Sequence, residues 1–108
     1  MHIEHFEKDL RYSDRELLVF ARKIGKLATY CKYIKNDDSC IRVEAEKRDT
    51  KKNEDSIKVM ITVELPKTIL RAESRRKTVI DALDRCIEKI EPQVKRYKEK
   101  SGGKRQKS

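Results

Sequence analysis

From Ile57 to Leu65 branched aliphatic residues fall at every second position. Ile57, Val59, Ile61, Val63 and Leu65 alternate with Lys58, Met60, Thr62 and Glu64. A period of two buries one face of an extended strand and fits no helix. Ile41, Val43 and Ala45 repeat the pattern against Arg42, Glu44 and Glu46. Residues 40–48 and 56–65 are therefore predicted as half-buried strands. The polar run over 49–55 reads as the hairpin loop between them, and Pro66-Lys67 close the second strand. Two shorter strands complete the set: 2–6, and 68–73 with Leu70 and Ala72 inward.

Helical spacing flanks this core. Ser13-Asp14-Arg15-Glu16 fits a capping box, in which the serine hydroxyl and the glutamate carboxylate each satisfy a free amide of the first turn. A helix over 14–32 is predicted, its stripe made of Leu17, Phe20, Ala21, Ile24, Leu27, Ala28 and Cys31. A second helix is predicted over 75–99, with Val79, Ile80, Leu83, Ile87, Ile90 and Val94 inward. Pro92 lies inside it, where a missing N–H and a steric clash cost about 3 kcal/mol, so a kink or a break is expected there. The order β-α-β-β-β-α, with one apolar face per element, predicts an α+β fold: a four-stranded sheet with both helices packed on one face. The helix between the first two strands permits them to pair in parallel. Residues 1–100 make one domain, and 101–108, SGGKRQKS, are expected to form a flexible basic tail.

Charge comes next, because 44% of residues are charged and the net charge is +9. Residues 1–66 carry 14 basic and 13 acidic side chains, and residues 67–108 carry 14 and 6. The C-terminal part therefore holds nearly all the excess. At about 100° per residue, Arg22, Lys23 and Lys26, with Arg15, lie opposite the apolar stripe of the first helix. Tyr30 and Tyr33 are nearby, and with Tyr97 they suit packing better than base stacking. On the second helix Arg85, Lys89, Arg96 and Lys100 share a stripe, Asp81, Asp84, Glu88, Glu91 and Glu99 share another, and Lys95 and Lys98 lie nearer the acids. Stripes of one sign give up the stabilising pairs of opposite charge that a solvated helix ordinarily carries. With both helices on one side of the sheet, they are expected to form one basic surface for a polyanion. Nucleic acid ranks ahead of an anionic membrane: no apolar run is long enough to cross one and no signal peptide opens the chain.

Nothing in the sequence points to catalysis, a cofactor or a small-molecule substrate. His2 and His5 point to opposite faces of their strand, and no glycine-rich phosphate loop occurs. Asp37-Asp38 belongs to a turn. Cys31, Cys40 and Cys86 form no metal-binding pair and read as reduced thiols, which with the rest suggests a cytoplasmic protein.

The chain also resembles the ribosome hibernation promoting factors, also called ribosome-associated translation inhibitors or sigma-54 modulation proteins. The likeness covers about residues 1–100. It rests on Ser13-Asp14, on Lys23, Lys26, Leu27 and Tyr30, on the strand end VEAEK at 43–47, and on Leu70-Arg71-Ala72-Glu73. It continues through Ile80-Asp81, Ile87, Lys89, Gln93, Lys95, Tyr97 and Lys98-Glu99-Lys100. The resemblance implies four strands and two helices in the derived order. It also implies a protein of the short form that binds the small ribosomal subunit in the channel for messenger and transfer RNA. Translation is then silenced and idle ribosomes are protected. By residue match, Lys23, Lys26, Lys89, Lys95, Arg96, Lys98 and Lys100 would meet ribosomal RNA, and the free protein is expected to be a monomer. The chain departs from the pattern at His5, where an inward aliphatic residue is usual, and at Pro92, where a basic residue is usual. A general double-stranded RNA module and a basic adaptor for an acidic protein are the competing expectations.

Overall fold

The computed structural model describes residues 2–8, 10–29, 39–47, 56–65 and 67–107, the side chains of His2 and of 101–107 excepted. Its elements are β1 (His2–Lys8), α1 (Asp14–Thr29), β2 (Cys40–Lys47), β3 (Ile57–Leu65), β4 (Thr68–Arg76) and α2 (Val79–Lys107). The sheet order is β1-β2-β3-β4. β1 runs parallel to β2, with Ile3 beside Ile41 and His5 beside Val43. β2–β3 and β3–β4 are antiparallel. The expected α+β fold is thus present.

Register places the alternating aliphatics on one face. Ile41 pairs with Val63, Val43 with Ile61 and Ala45 with Val59, and all six are at most 2% exposed. From α1, Phe20, Ile24, Leu27 and Ala28 enter this cluster; from α2, Val79, Ala82, Leu83, Cys86, Ile90 and Val94 do. Burial of this apolar area is the main term holding the layers together.

Local chemistry sets the helix starts. The Ser13 amide donates to Glu16 Oε1 at 2.8 Å and the Glu16 amide donates to Ser13 Oγ at 3.1 Å, which completes the capping box. α2 begins later than expected because β4 runs longer, to Arg76, whose Cα partner is Ile57. Thr78 then caps the helix, its Oγ1 accepting from the Asp81 amide at 3.1 Å.

Two expected core positions are corrected. Leu17 is 43% exposed, and Ala21 is exposed too, because the inward arc of α1 centres on Phe20, Ile24 and Leu27. Tyr12, unassigned by the sequence pattern, is instead a core residue at 5% exposure. Of the kink or break expected at Pro92, the break is absent, and α2 runs through it as one helix. Ile90 and Val94, both fully buried on either side of it, carry the helix across. Cys31, Tyr30 and Tyr33, the turn at 36–39 save Ser39 and the loop at 49–55 lie outside the described residues, as do the side chains of the expected tail.

His5 points to the helix-bearing face. Its ring meets Tyr12 edge-on at 6.0 Å and Phe20 at 5.8 Å between centroids. His5 is exposed overall, yet partial desolvation on the ring's inner side lowers the imidazole pKa from its ordinary 6.5, against a smaller opposing pull from Glu7. As pH falls through 6.5, the unfolded chain takes up a proton that the folded chain resists. Stability is expected to fall from that pH downward and to level off once the folded imidazole is also charged. Chemical denaturation from about pH 8 to about pH 5 reads this, and His5→Phe should remove that part of the decline. An unchanged profile in His5→Phe would assign the decline to other groups.

The two sheet edges differ. Along β4, Lys89 Nζ donates to the Glu73 carbonyl at 2.9 Å and Gln93 Nε2 donates to the Arg71 carbonyl at 3.0 Å. Side chains of α2 therefore occupy acceptors that an edge strand otherwise leaves open. β1 forms the opposite edge.

Candidate nucleic-acid interface

The sheet face away from the helices balances its charges. It carries Lys8, Arg42, Lys58, Arg71 and Arg75 against Glu4, Glu44, Glu46, Glu64 and Glu73. Ion pairs cross it: Lys8–Glu46 at 3.5 Å, Arg42–Glu4 at 3.5 Å and Lys58–Glu73 at 3.2 Å. A polyanion finds little net attraction over β1, β2 and β3. The excess positive charge lies with the helices and along β4.

On α1, Arg15, Arg22 and Lys26 are exposed and point away from the sheet. Among the described residues none of the three has a carboxylate partner. Lys23 is set apart from them. It turns sideways to α2 and forms an ion pair with Asp84, so its charge is already met.

On α2, Arg85, Lys89, Arg96 and Lys100 are exposed and share one stripe. Two contacts fix the direction of that stripe. Asp84 faces α1 through Lys23, while Lys89 faces the β4 edge through the Glu73 carbonyl. Five residues of α-helix put those side chains about 140° apart. The α2 stripe therefore looks outward past β4, away from α1. Asp81, Asp84 and Glu88 occupy the arc between it and the cations of α1. The cations of α1 and the α2 stripe thus look in different directions rather than over the one joint surface expected from the sequence, and the arc between them holds Lys95 beside acids of which Asp84 and Glu88 are ion-paired. Lys95 and Lys98 are exposed on the α1 side of α2. Arg85 donates to Glu88 Oε2 at 2.9 Å, which leaves it partly neutralised. Tyr97 packs against the core, as its position suggested.

Sequence reading missed three cations. Arg71 and Arg75 point from β4 onto the outer sheet face, and Arg76 ends that strand, all exposed. The signal was present in the run RAESRRK, but the expected strand stopped at 73. No cluster of His, Cys, Asp and Glu suited to a metal ion occurs among the described residues. Burial pushes the Cys86 thiol up to about 11, as expected of a packing residue.

This fold and these faces have relatives. The family model for sigma 54 modulation protein / S30EA ribosomal protein matches residues 16–101. The chain belongs to that family. Its members are ribosome-associated factors rather than enzymes, so the chain is not an enzyme. The Thermus thermophilus Protein Y N-terminal domain superposes with a TM-score of 0.71 at 22% identity, covering 90% of this chain and 99% of that one. A ribosomal subunit interface protein from Coxiella burnetii gives 0.71 at 19% identity, covering 91% and 98%. These likenesses are of fold. Among curated protein sequences none matches. No helix among the described residues is long and apolar enough to cross a membrane.

Proposed function

We propose that this S30EA-family chain binds the small ribosomal subunit through ribosomal RNA, in the channel for messenger and transfer RNA. It thereby inhibits translation and stabilises idle ribosomes in the cytoplasm. The family match over 16–101 carries the reading. The placement of charge supports it, because exposed lysines and arginines on the helix side suit phosphate contact, whereas the open sheet face is balanced. Arg22, Lys26, Lys89, Arg96 and Lys100 are the main contacts, with Lys95 and Lys98 beside them. Lys23 and Arg85 contribute less, since each already holds a carboxylate. No small molecule, cofactor or membrane enters the function, and the free protein is a monomer.

Sedimentation with purified small subunits across a salt series tests the proposal. The chain is expected to travel with the small subunit at low and moderate salt and to be released as salt rises, as phosphate contacts dictate. Failure to travel with it at moderate salt would rule the proposal out. Equal affinity for free duplex RNA would favour a general RNA-binding module instead.

A further inference from the structure

Most of the exposed large hydrophobic side chains lie along one flank of the molecule. Ile3 and Phe6 belong to β1, an edge of the sheet, and Leu17 and Leu18 to the first half of α1. The contact of His5 with Phe20 sets that half of the helix over β1. Lys23 faces α2 through Asp84. Leu17, Leu18 and Ala21 lie about 120° to 160° around the helix from Lys23, so they look the other way, past the β1 edge. Among the described residues β1 pairs with β2 alone. A free strand edge beside exposed aliphatic side chains is the form of a protein-interaction surface.

We infer that this flank takes a second copy of the chain: at high protein concentration two monomers pair reversibly, β1 antiparallel to β1, and join their four-stranded sheets into one. This does not rest on the ribosome reading, in which the diluted chain acts as a monomer.

The strand is complementary to itself. β1 reads HIEHFEK. About a two-fold axis at Phe6, Glu4 of each copy falls opposite Lys8 of the other, His5 opposite Glu7, and Phe6 opposite Phe6. Opposite charges and aromatic pairs are the cross-strand neighbours that stabilise a sheet. Within one copy Glu4 already lies beside Arg42 and Lys8 beside Glu46, each as an ion pair at 3.5 Å. Pairing extends them into one row of alternating sign, Arg42, Glu4, Lys8, Glu46, that crosses from copy to copy. No ion pair has to break. Neighbouring registers that keep all helices on one side do worse. Centring on Glu4 or Glu7 opposes two carboxylates, and centring on His5 sets Glu4 against Phe6. Charges on an edge strand ordinarily repel a neighbour. Here they match when the axis passes Phe6, which fixes the register. The same axis turns the two α1 flanks toward each other, so that Leu17 and Leu18 leave water.

Analytical ultracentrifugation of the full chain, from about 10 µM to about 1 mM, covers the range in which a small interface associates. A reversible shift from monomer toward dimer is expected. Two charge variants read the register. In Glu4→Lys, and separately in Lys8→Glu, like charges meet on both sides of the axis, and pairing should weaken by about tenfold or more. Mixed in equal amounts, the two variants restore opposite charges at both places, and a heterodimer within about threefold of the unaltered affinity is expected. Thermal melts of both variants establish that they fold. Nuclear magnetic resonance of the unaltered protein needs no variant: amide signals of β1 should move with concentration while those of β4 stay. A chain that is monomeric throughout, a single variant that pairs as the unaltered protein does, or a mixture that pairs no better than its components would overturn the inference. So would concentration shifts confined to β4. Shifts in β1 that appear only on adding small ribosomal subunits would give the edge to the ribosome and overturn it too. Each of these outcomes leaves the proposed function standing.

Discussion

Replacing Arg22 and Lys26 of α1 together by Glu is expected to weaken binding to the small ribosomal subunit on the order of a hundredfold or more, with the thermal midpoint almost unmoved. Both side chains are exposed, and among the described residues neither has a carboxylate partner. The change therefore removes two cations and adds two anions without breaking an ion pair seen in the fold. Each lost phosphate contact forfeits counterion release, and each new carboxylate adds repulsion. A hundredfold loss is about 2.8 kcal/mol over four units of charge, which is modest for groups facing RNA. Lys23 and Lys89 are poorer test positions. Reversing Lys23 strands Asp84, and reversing Lys89 sets a carboxylate against the Glu73 carbonyl. Sedimentation and a thermal melt on the same preparation decide the matter. Unchanged binding with an intact fold would mean that α1 does not face the RNA.

The second large effect concerns stability. Phe20→Ala is expected to destabilise the fold by about 3–5 kcal/mol, as truncating a buried aromatic usually does. Phe20 is fully buried, and its ring lies 4.6 Å from that of Tyr12 and 5.8 Å from that of His5 between centroids. No small shift of the sheet can refill that space, because Val43 and Ile61 are themselves fully buried beneath the helices. For a domain of this size the loss corresponds to a fall in thermal midpoint of about 15 °C or more. Urea denaturation followed by far-ultraviolet circular dichroism measures it. A loss below about 1 kcal/mol would mean that the α1–sheet contact is not where the stability lies.

Much of this was legible in the residues. The alternation at Ile41, Val43 and Ala45, and again from Ile57 to Leu65, specified two strands and their buried face. Such a pattern is satisfied by one conformation only. The capping box at Ser13 and Glu16 located the start of α1 to the residue, since its bonds are local. The end of β4 was harder, because the inward positions Ser74 and Arg76 are polar and only pairing with Val59 and Ile57 keeps them in the sheet. Tyr12 could not be assigned for the same reason: it precedes any periodic segment, and its burial comes from His5 and Phe20 in other elements. The cation stripes were legible as angles on each helix. Which way each stripe looks was not, because the Lys23–Asp84 pair and the Lys89 bond to β4 set that direction. Both join residues far apart in the chain.

The asymmetry between the two sheet edges has a bearing on how the protein behaves when crowded. Strand-to-strand association needs a row of free backbone donors and acceptors. Lys89 and Gln93 occupy two of the β4 acceptors, so among the described strands β1 is the more open edge for a neighbour of that kind. An edge with part of its acceptors taken is a poorer template, which biases association toward pairs joined through β1 over open-ended stacking.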